Sequence, residues 1–181
     1  MTRTVSPAGR AALTAREGCL LHAYRDTTGV PTIGVGHTGR AAPPAVTVGM
    51  TITAAEADSI LAADLAPIEA AVAGAVPADI GQNEFDALVS LAFNIGAKGF
   101  VGSTVVHKLA TGDRAGAADA FLMWVHPPEL ASRRRAERMQ FLRPDAPLPV
   151  PPPLAGPHLL PRPQPGLWAR IVAALTTRKA A

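Results

Sequence analysis

The sequence predicts an α+β fold in which a small β-lobe is inserted near the start of an otherwise helical chain. Turn residues and short β-favouring pieces are confined to residues 21–37. Helical periodicity and helix caps cover most of the chain from residue 53 to residue 142. Strands and helices do not alternate, so a βαβ architecture is excluded. We therefore expect a β-hairpin lobe and a larger helical lobe, joined by a long helix, with a cleft between them.

The first two elements are a helix and a hairpin. Residues 8–19 predict a helix that ends near Gly18, since glycine commonly terminates helices. Between residues 21 and 37, Thr27-Thr28-Gly29 and Val30-Pro31 are turn signals flanked by β-favouring pieces. This pattern predicts a hairpin or a three-stranded sheet.

A long helix follows the hairpin. Thr53 and Glu56 have the spacing of a capping box, which predicts a helix start there and a helix that continues to about Ala75. Pro67 lies inside this run. Because proline removes a backbone donor, we expect it to kink or split the helix.

Four more helices are predicted. Residues 82–95 place apolar side chains on one helical stripe before Gly96 ends the helix. The stripe consists of Phe85, Leu88, Val89, Ala92 and Phe93. The other three helices are a short one over 103–110, one capped by Asp113 that runs to Trp124, and a last one over 129–142 with Pro127-Pro128 in its first turn.

The chain divides into three regions. Residues 1–143 predict a globular domain, and the proline-rich residues 144–166 predict an extended linker. Residues 167–181 predict a short basic amphipathic helix, which docks on the helical lobe, binds an anionic membrane surface or is disordered. Its apolar face consists of Leu167, Trp168, Ile171, Val172 and Leu175, and its basic residues are Arg170, Arg178 and Lys179.

Charge and composition narrow the function classes. The net charge is +3 over 181 residues, with a basic C-terminal half that indicates a polyanionic partner: nucleic acid, an anionic membrane or a cell-wall polymer. Few aromatic residues are interleaved with the basic ones, which weighs against single-stranded nucleic acid. The start lacks a signal pattern, so we expect synthesis in the cytosol. Cys19 is the only cysteine and predicts a buried thiol, the alternatives being a redox trigger or a nucleophile.

Glu17, Asp26 and Thr32 are the candidates for catalysis. Glu17 lies at a predicted helix C-terminus beside apolar residues, and both surroundings favour a protonated carboxyl that suits a general acid. Asp26 either starts a turn or serves as a second carboxylate beside water or an oxocarbenium-like state. Thr32 is either a plain strand residue or a hydroxyl that holds the attacking water. An exposed helix-terminal glutamate is the alternative for Glu17.

Histidine and arginine complete the candidate residues. His37 follows a Gly-Val-Gly run, but the sequence has no HxxxH or CxxC pattern, so a metal site is not predicted. Arg133, Arg134 and Arg135 lie on one helix about 100° apart, so they cannot share a face. We expect one to reach inward to a buried carboxylate and the others to be solvated.

The spacing E-x8-D-x5-T at Glu17, Asp26 and Thr32, followed by TIGVGH, resembles the phage-type lysozymes (endolysins) of glycoside hydrolase family 24, the family of the T-even phage lysozyme. Three later segments agree in order: FDALVSLAFNIG at 85–96, GSTVVHKLATGD at 102–113 and WVHPPELASRRRAE at 124–137. The resemblance covers residues 8–142. In many relatives a glycine-rich loop stands where this chain has WVHPPELAS, so which arginine approaches Glu17 is left open.

The resemblance implies a lysozyme-like fold and hydrolysis of the β-1,4 bond between N-acetylmuramic acid and N-acetylglucosamine in peptidoglycan. It implies that Glu17 is the general acid, Asp26 the second carboxylate and Thr32 their neighbour, with no cofactor. Tyr24, His37 and Asn94 are predicted to bind substrate.

The biological role that it implies is host-cell lysis by a monomer that does not bind nucleic acid. The enzyme would leave the host cytoplasm through a holin and act in the periplasm and cell wall. A catalytically idle peptidoglycan-binding protein on the same scaffold is the alternative, and a basic nucleic-acid-binding module is a third hypothesis.

Overall fold

A computed structural model describes residues 3–40 and 42–145 and has the predicted α+β, lysozyme-like fold. The elements in chain order are α1 (Pro7–Glu17), β1 (Leu20–Arg25), β2 (Pro31–Gly34), α2 (Ala54–Ala75), α3 (Gln82–Ile95), α4 (Ala97–Val101), α5 (Thr104–Ala110), α6 (Arg114–Ala120), a 3₁₀ turn (Phe121–Met123) and α7 (Leu130–Phe141). Except for Pro144 and Asp145, the predicted linker and tail helix lie outside the described residues. No helix in the described part has the length and apolar character that a membrane crossing requires.

The β-lobe is built on a two-stranded antiparallel hairpin. Tyr24 of β1 lies opposite Thr32 of β2, and the register is interrupted between Leu20 and Tyr24. Two isolated bridges, His22 with Thr51 and Ile33 with His37, accompany the hairpin, and the described residues 21–37 form two strands rather than three. The lobe has a small core of its own, which consists of Ile33, Ile52, Ala57 and Ile60.

Helix α2 belongs to both lobes. Its first turns contribute Ala57 and Ile60 to the β-lobe core, and its later turns contribute Leu65 and Val72 to the helical-lobe core. The predicted capping box is present, since Thr53 and Glu56 satisfy each other's backbone donors. One continuous hydrophobic helix therefore connects the two lobes.

The expected break at Pro67 does not split this helix. Helix α2 is continuous from Ala54 to Ala75, with Pro67 inside it. Pro67 is exposed, so the ring and the carbonyl that loses its donor lie towards solvent.

Helix α3 is the central element of the helical lobe. Phe85, Leu88, Val89 and Ala92 are completely buried, as the stripe predicts. Phe93 is only partly buried, because it lies near the end of the helix where the lobe opens. The predicted stripe therefore holds at four of its five positions.

The later helices differ from prediction at their boundaries. Helix α6 ends at Ala120 and is followed by the 3₁₀ turn, rather than continuing to Trp124. Helix α7 begins at Leu130, and the carbonyls of Pro127 and Pro128 accept hydrogen bonds from Leu130 and Ala131 in a turn that precedes it. The prolines therefore lie before the helix instead of in its first turn. Helix α4 was not predicted.

The end of the domain is attached to α3. The Asp145 carboxylate accepts hydrogen bonds from the backbone N–H groups of Gln82 at 2.6 Å and Asn83 at 2.8 Å. Asp145 thus supplies a side-chain cap that Gly81 at the helix start cannot provide. Any truncation meant to remove only the C-terminal tail must keep this residue.

Candidate active site

Glu17 is the last residue of α1, where the chain turns abruptly into the hairpin. Gly18 follows with φ = 80°, a left-handed conformation that favours glycine, and its N–H donates to the carbonyl of Thr14 at 2.8 Å. The helix end fixes the backbone of Glu17, and the strand that begins at Leu20 leads directly away from it. Local sequence therefore places the glutamate between the two lobes.

A cleft of about 650 Å³ opens beside Glu17. Its walls come from the end of α1, from both sides of the hairpin and from the end of α3. The side chains that line it include Glu17, Cys19, Leu20, Tyr24, Val35 and Phe93. The predicted substrate-binding residue Tyr24 is 38% exposed here, so its ring is available to a bound polymer.

Arg133 is the arginine that meets Glu17. Its Nη1 lies 2.6 Å from Glu17 Oε1, with side-chain exposures of 9% for the arginine and 23% for the glutamate. This contact answers the question that the unusual WVHPPELAS segment left open. It also differs from the apolar surroundings expected of Glu17, because a cation contacts the carboxyl directly.

A buried network holds Arg133 in place. Its Nε donates to Glu137 Oε1 at 3.0 Å and its Nη2 donates to the backbone carbonyl of Ser90 at 3.2 Å. The Ser90 hydroxyl in turn donates to the same Glu137 oxygen at 2.7 Å. Helices α1, α3 and α7 therefore converge on one guanidinium group.

Arg134 is completely buried, so two arginines rather than one reach inward. Its Nη1 donates to Glu137 Oε2 at 2.5 Å and its Nε donates to the carbonyl of Trp124 at 2.9 Å. Arg133 and Arg134 lie four and three residues before Glu137 on α7. Residues three and four apart are neighbours on a helix surface, so both arginines can reach the Glu137 carboxylate. Arg135 is exposed, as expected.

Arg16 adds a third cation beside Glu17. Its guanidinium donates to the Ser90 hydroxyl at 3.0 Å and to Gln140 Oε1 at 2.6 Å. Burial lowers the pKa of Arg16 from its ordinary value, while the charge of Glu137 opposes that effect. The site is therefore rich in positive charge around its glutamate.

Asp26 and Thr32 are linked through the backbone of one residue, Val30. Asp26 Oδ1 accepts hydrogen bonds from the Val30 N–H at 2.9 Å, and from the N–H and hydroxyl of Thr28, both at 2.8 Å. The buried Thr32 hydroxyl donates to the Val30 carbonyl at 3.0 Å. Its lone pairs thus remain able to accept a hydrogen bond from water. The bonds to Asp26 all fall on one oxygen, which leaves Oδ2 for substrate or water.

The hydrogen bonds to Asp26 favour its ionised form. Those from the Val30 N–H and the Thr28 hydroxyl hold the pKa of Asp26 below its ordinary value. The hairpin turn therefore supplies a carboxylate that stays charged over a wide pH range.

His37 and Asn94 are engaged within the protein. His37 is 4% exposed, its Nδ1 lies 2.9 Å from Asp64 Oδ2 and its Nε2 lies 2.8 Å from the carbonyl oxygen of Pro44. With both ring nitrogens occupied, His37 joins the β-lobe to α2 at the edge of the cleft. Asn94 is exposed, and its Oδ1 accepts a hydrogen bond from Arg134.

Two cleft residues differ from their predicted environment. Phe93, the last residue of the predicted stripe, packs against the core and also lines the cleft, since α3 ends two residues later at Ile95. Cys19, expected to be buried, is half-buried and forms part of the cleft wall. Both residues lie at or near the end of a helix or strand, and hydrophobicity and periodicity alone do not predict how exposed such positions are.

The fold and the site define a class of protein. Glu17 lines the cleft at a helix end, and Asp26 lies in the turn of the hairpin whose two strands contribute to the cleft wall. Paired carboxylates of this kind carry out glycoside hydrolysis. The molecule is a lysozyme-type glycoside hydrolase.

Comparisons with known proteins give the family. The sequence model described as "Phage lysozyme" matches residues 14–137, and the chain belongs to the phage lysozyme family. The endolysin of Salmonella phage P22 is 46% identical over 142 residues, which cover 76% of this chain and 97% of the relative.

Solved structures agree with this assignment. An endolysin from Escherichia coli O157:H7 phage FAHEc1 is 36% identical with a TM-score of 0.71, covering 82% of this chain and 99% of that one. The muramidase domain of SpmX from Asticaccaulis excentricus is 35% identical with a TM-score of 0.69, covering 78% and 99%. The chain is thus an endolysin-type muramidase that acts on peptidoglycan.

The turn around Asp26 makes a testable prediction about pH. In an NMR titration, the Asp26 carboxyl should titrate below the ordinary aspartate value of 3.8, because the Val30 and Thr28 donors stabilise its charged form. Thr28→Val removes one donor and should raise the midpoint, whereas Thr27→Val serves as the matched control. A midpoint at or above 3.8, or one that Thr28→Val leaves unchanged, would refute this account of the turn.

Proposed function

We propose that this enzyme hydrolyses the β-1,4 bond between N-acetylmuramic acid and N-acetylglucosamine, with Glu17 as the general acid. The observation that carries the proposal is the position of Glu17 on the cleft wall, with Arg133 in contact with its Oε1. In this proposal Oε2 carries and delivers the proton.

The first half of the proposed reaction breaks the glycosidic bond. Glu17 Oε2 donates its proton to the bridging oxygen, and the bond between that oxygen and C1 of the muramic acid breaks. The N-acetylglucosamine side leaves with the proton as a free hydroxyl. Glu17 becomes a carboxylate, whose charge Arg133 stabilises at 2.6 Å.

The second half adds water. Asp26, kept ionised by its turn, stabilises positive charge that develops at C1 and takes a proton from the attacking water through Oδ2. Thr32 positions that water by accepting a hydrogen bond from its other O–H group. The water oxygen forms the new bond to C1. Before the next cycle Asp26 releases the proton that it took to solvent, and Glu17 regains a proton from solvent.

Glu17→Gln tests the assignment of the acid. The amide keeps the shape of the side chain but has no acidic proton, so clearance of a peptidoglycan suspension should fall by about 100-fold or more. Glu129→Gln makes the same chemical change at an exposed position and should keep parental activity.

Thermal unfolding separates this outcome from a folding defect. Arg133 keeps its contact with Glu137 in the Glu17→Gln variant, so its melting temperature should stay within a few degrees of the parent's. A folded Glu17→Gln protein that clears the suspension as fast as the parent would show that another residue is the acid.

We also propose that residues 167–181 bind an anionic membrane surface. The support is the sequence pattern of one apolar face bordered by Arg170, Arg178 and Lys179. In this proposal the enzyme is a monomer that leaves the host cytoplasm through a holin, and the tail brings it to the envelope from which it reaches the wall.

A truncation after Asp145 tests the role of the tail. The cut keeps the cap on α3, so the catalytic domain should retain its stability and its activity on purified peptidoglycan. Binding to vesicles rich in anionic lipid should be lost. Vesicle binding that survives the truncation would exclude the tail as the membrane contact.

A further inference from the structure

Glu137 is a fully buried carboxylate to which the proposed reaction assigns no role. Its Oε1 accepts from Arg133 and Ser90, and its Oε2 accepts from Arg134. A buried carboxylate needs such partners to offset its lost hydration. One of the partners of Glu137, however, is Arg133, the arginine that contacts the proposed general acid Glu17.

We propose that Glu137 is a positioning residue that acts on Glu17 through Arg133. It orients the guanidinium so that Nη1 meets Glu17, and its negative charge offsets Arg134 so that Glu17 can still be protonated. The inference rests on the proposed function, because it assumes that Glu17 is the general acid.

The orientation follows from the geometry of the guanidinium group. Its donors lie in one rigid plane, so fixing two of them fixes the third. Glu137 holds Nε and the Ser90 carbonyl holds Nη2, which leaves Nη1 directed at Glu17. Without Glu137, only one of these two anchors remains, and Arg133 gains freedom to rotate away from the glutamate.

The charge argument concerns the proton that Glu17 must carry. Arg133 contacts Glu17 directly, Arg16 precedes it on α1 and binds Ser90, and Arg134 binds Glu137, which is the anion of this network. The other titratable groups that face the cleft are Cys19 and Tyr24 on the β1 side. Removing the charge of Glu137 leaves an excess of positive charge, which favours the ionised carboxylate over the acid form.

The test is the pH dependence of kcat and KM for Glu137→Gln on soluble peptidoglycan fragments. The high-pH limb of kcat reports loss of the proton from the acid, and it should move to lower pH by about one unit. At the parental optimum kcat should fall about tenfold, with KM within about twofold, because the change alters the acid and not the substrate contacts.

Two further variants separate charge from orientation. Glu137→Asp keeps the charge but shortens the reach, so kcat should fall while the limb stays in place. The double variant Arg134→Gln/Glu137→Gln removes one positive and one negative charge together. The high-pH limb of its kcat profile should therefore lie closer to that of the parent than the limb of Glu137→Gln does. Asp119→Asn is the control. It breaks an exposed ion pair between Asp119 of α6 and Arg138, the residue after Glu137 on α7, and should change neither kcat nor the pH of its high-pH limb.

The outcomes are decisive even if Glu137→Gln does not fold. In that case Glu137→Asp carries the test, and an unchanged kcat would overturn the positioning role. A limb that stays at the parental pH in folded Glu137→Gln overturns the charge role. Failure of the proposed function has a different signature, because Glu17→Gln would then remain active whatever the Glu137 variants do.

Discussion

The ion pair between Glu17 and Arg133 is the contact on which the rest of the site depends. It joins the end of α1 to α7, so the position of the proposed general acid depends on how these helices pack in the helical lobe. The glutamate is thereby held at Oε1 by Arg133. A side chain on a helix end would otherwise be mobile, and general acid catalysis requires a defined position for the proton.

The ion pair depends in turn on the hydrogen bonds that its neighbouring charged groups make. Burying charged groups is costly unless each one is paired and hydrogen-bonded. Among the described residues, no buried side-chain nitrogen or oxygen lacks a hydrogen-bond partner. Helix α3 contributes the Ser90 hydroxyl and carbonyl, which contact Arg16, Arg133 and Glu137. The cost of placing several charges in a helical core is thus offset by a complete set of contacts.

Much of the architecture could be predicted from the sequence because its signals are local. The capping box at Thr53, the glycine after Glu17 and the apolar stripe of α3 each act within a few residues. The sequence predicts that one arginine of α7 reaches a buried carboxylate, but not that Arg133 and Arg134 share Glu137, because this depends on which residues of α7 face α3 in the folded lobe. Phe93 and Cys19 were misjudged for a related reason: whether a half-apolar position at an element end is buried depends on what packs against it.

The hairpin holds Asp26 and Thr32, the other two residues of the proposed site. Both are oriented by the backbone of Val30, whose N–H donates to Asp26 and whose carbonyl accepts from Thr32. The central claim is that Glu17, Asp26 and Thr32 together add water across a glycosidic bond. Mass spectrometry of peptidoglycan digested in heavy-oxygen water tests it most directly. The account predicts new reducing muramic-acid ends that each carry one heavy oxygen. Anhydro-muramic ends, or released peptides with intact glycan strands, would contradict it.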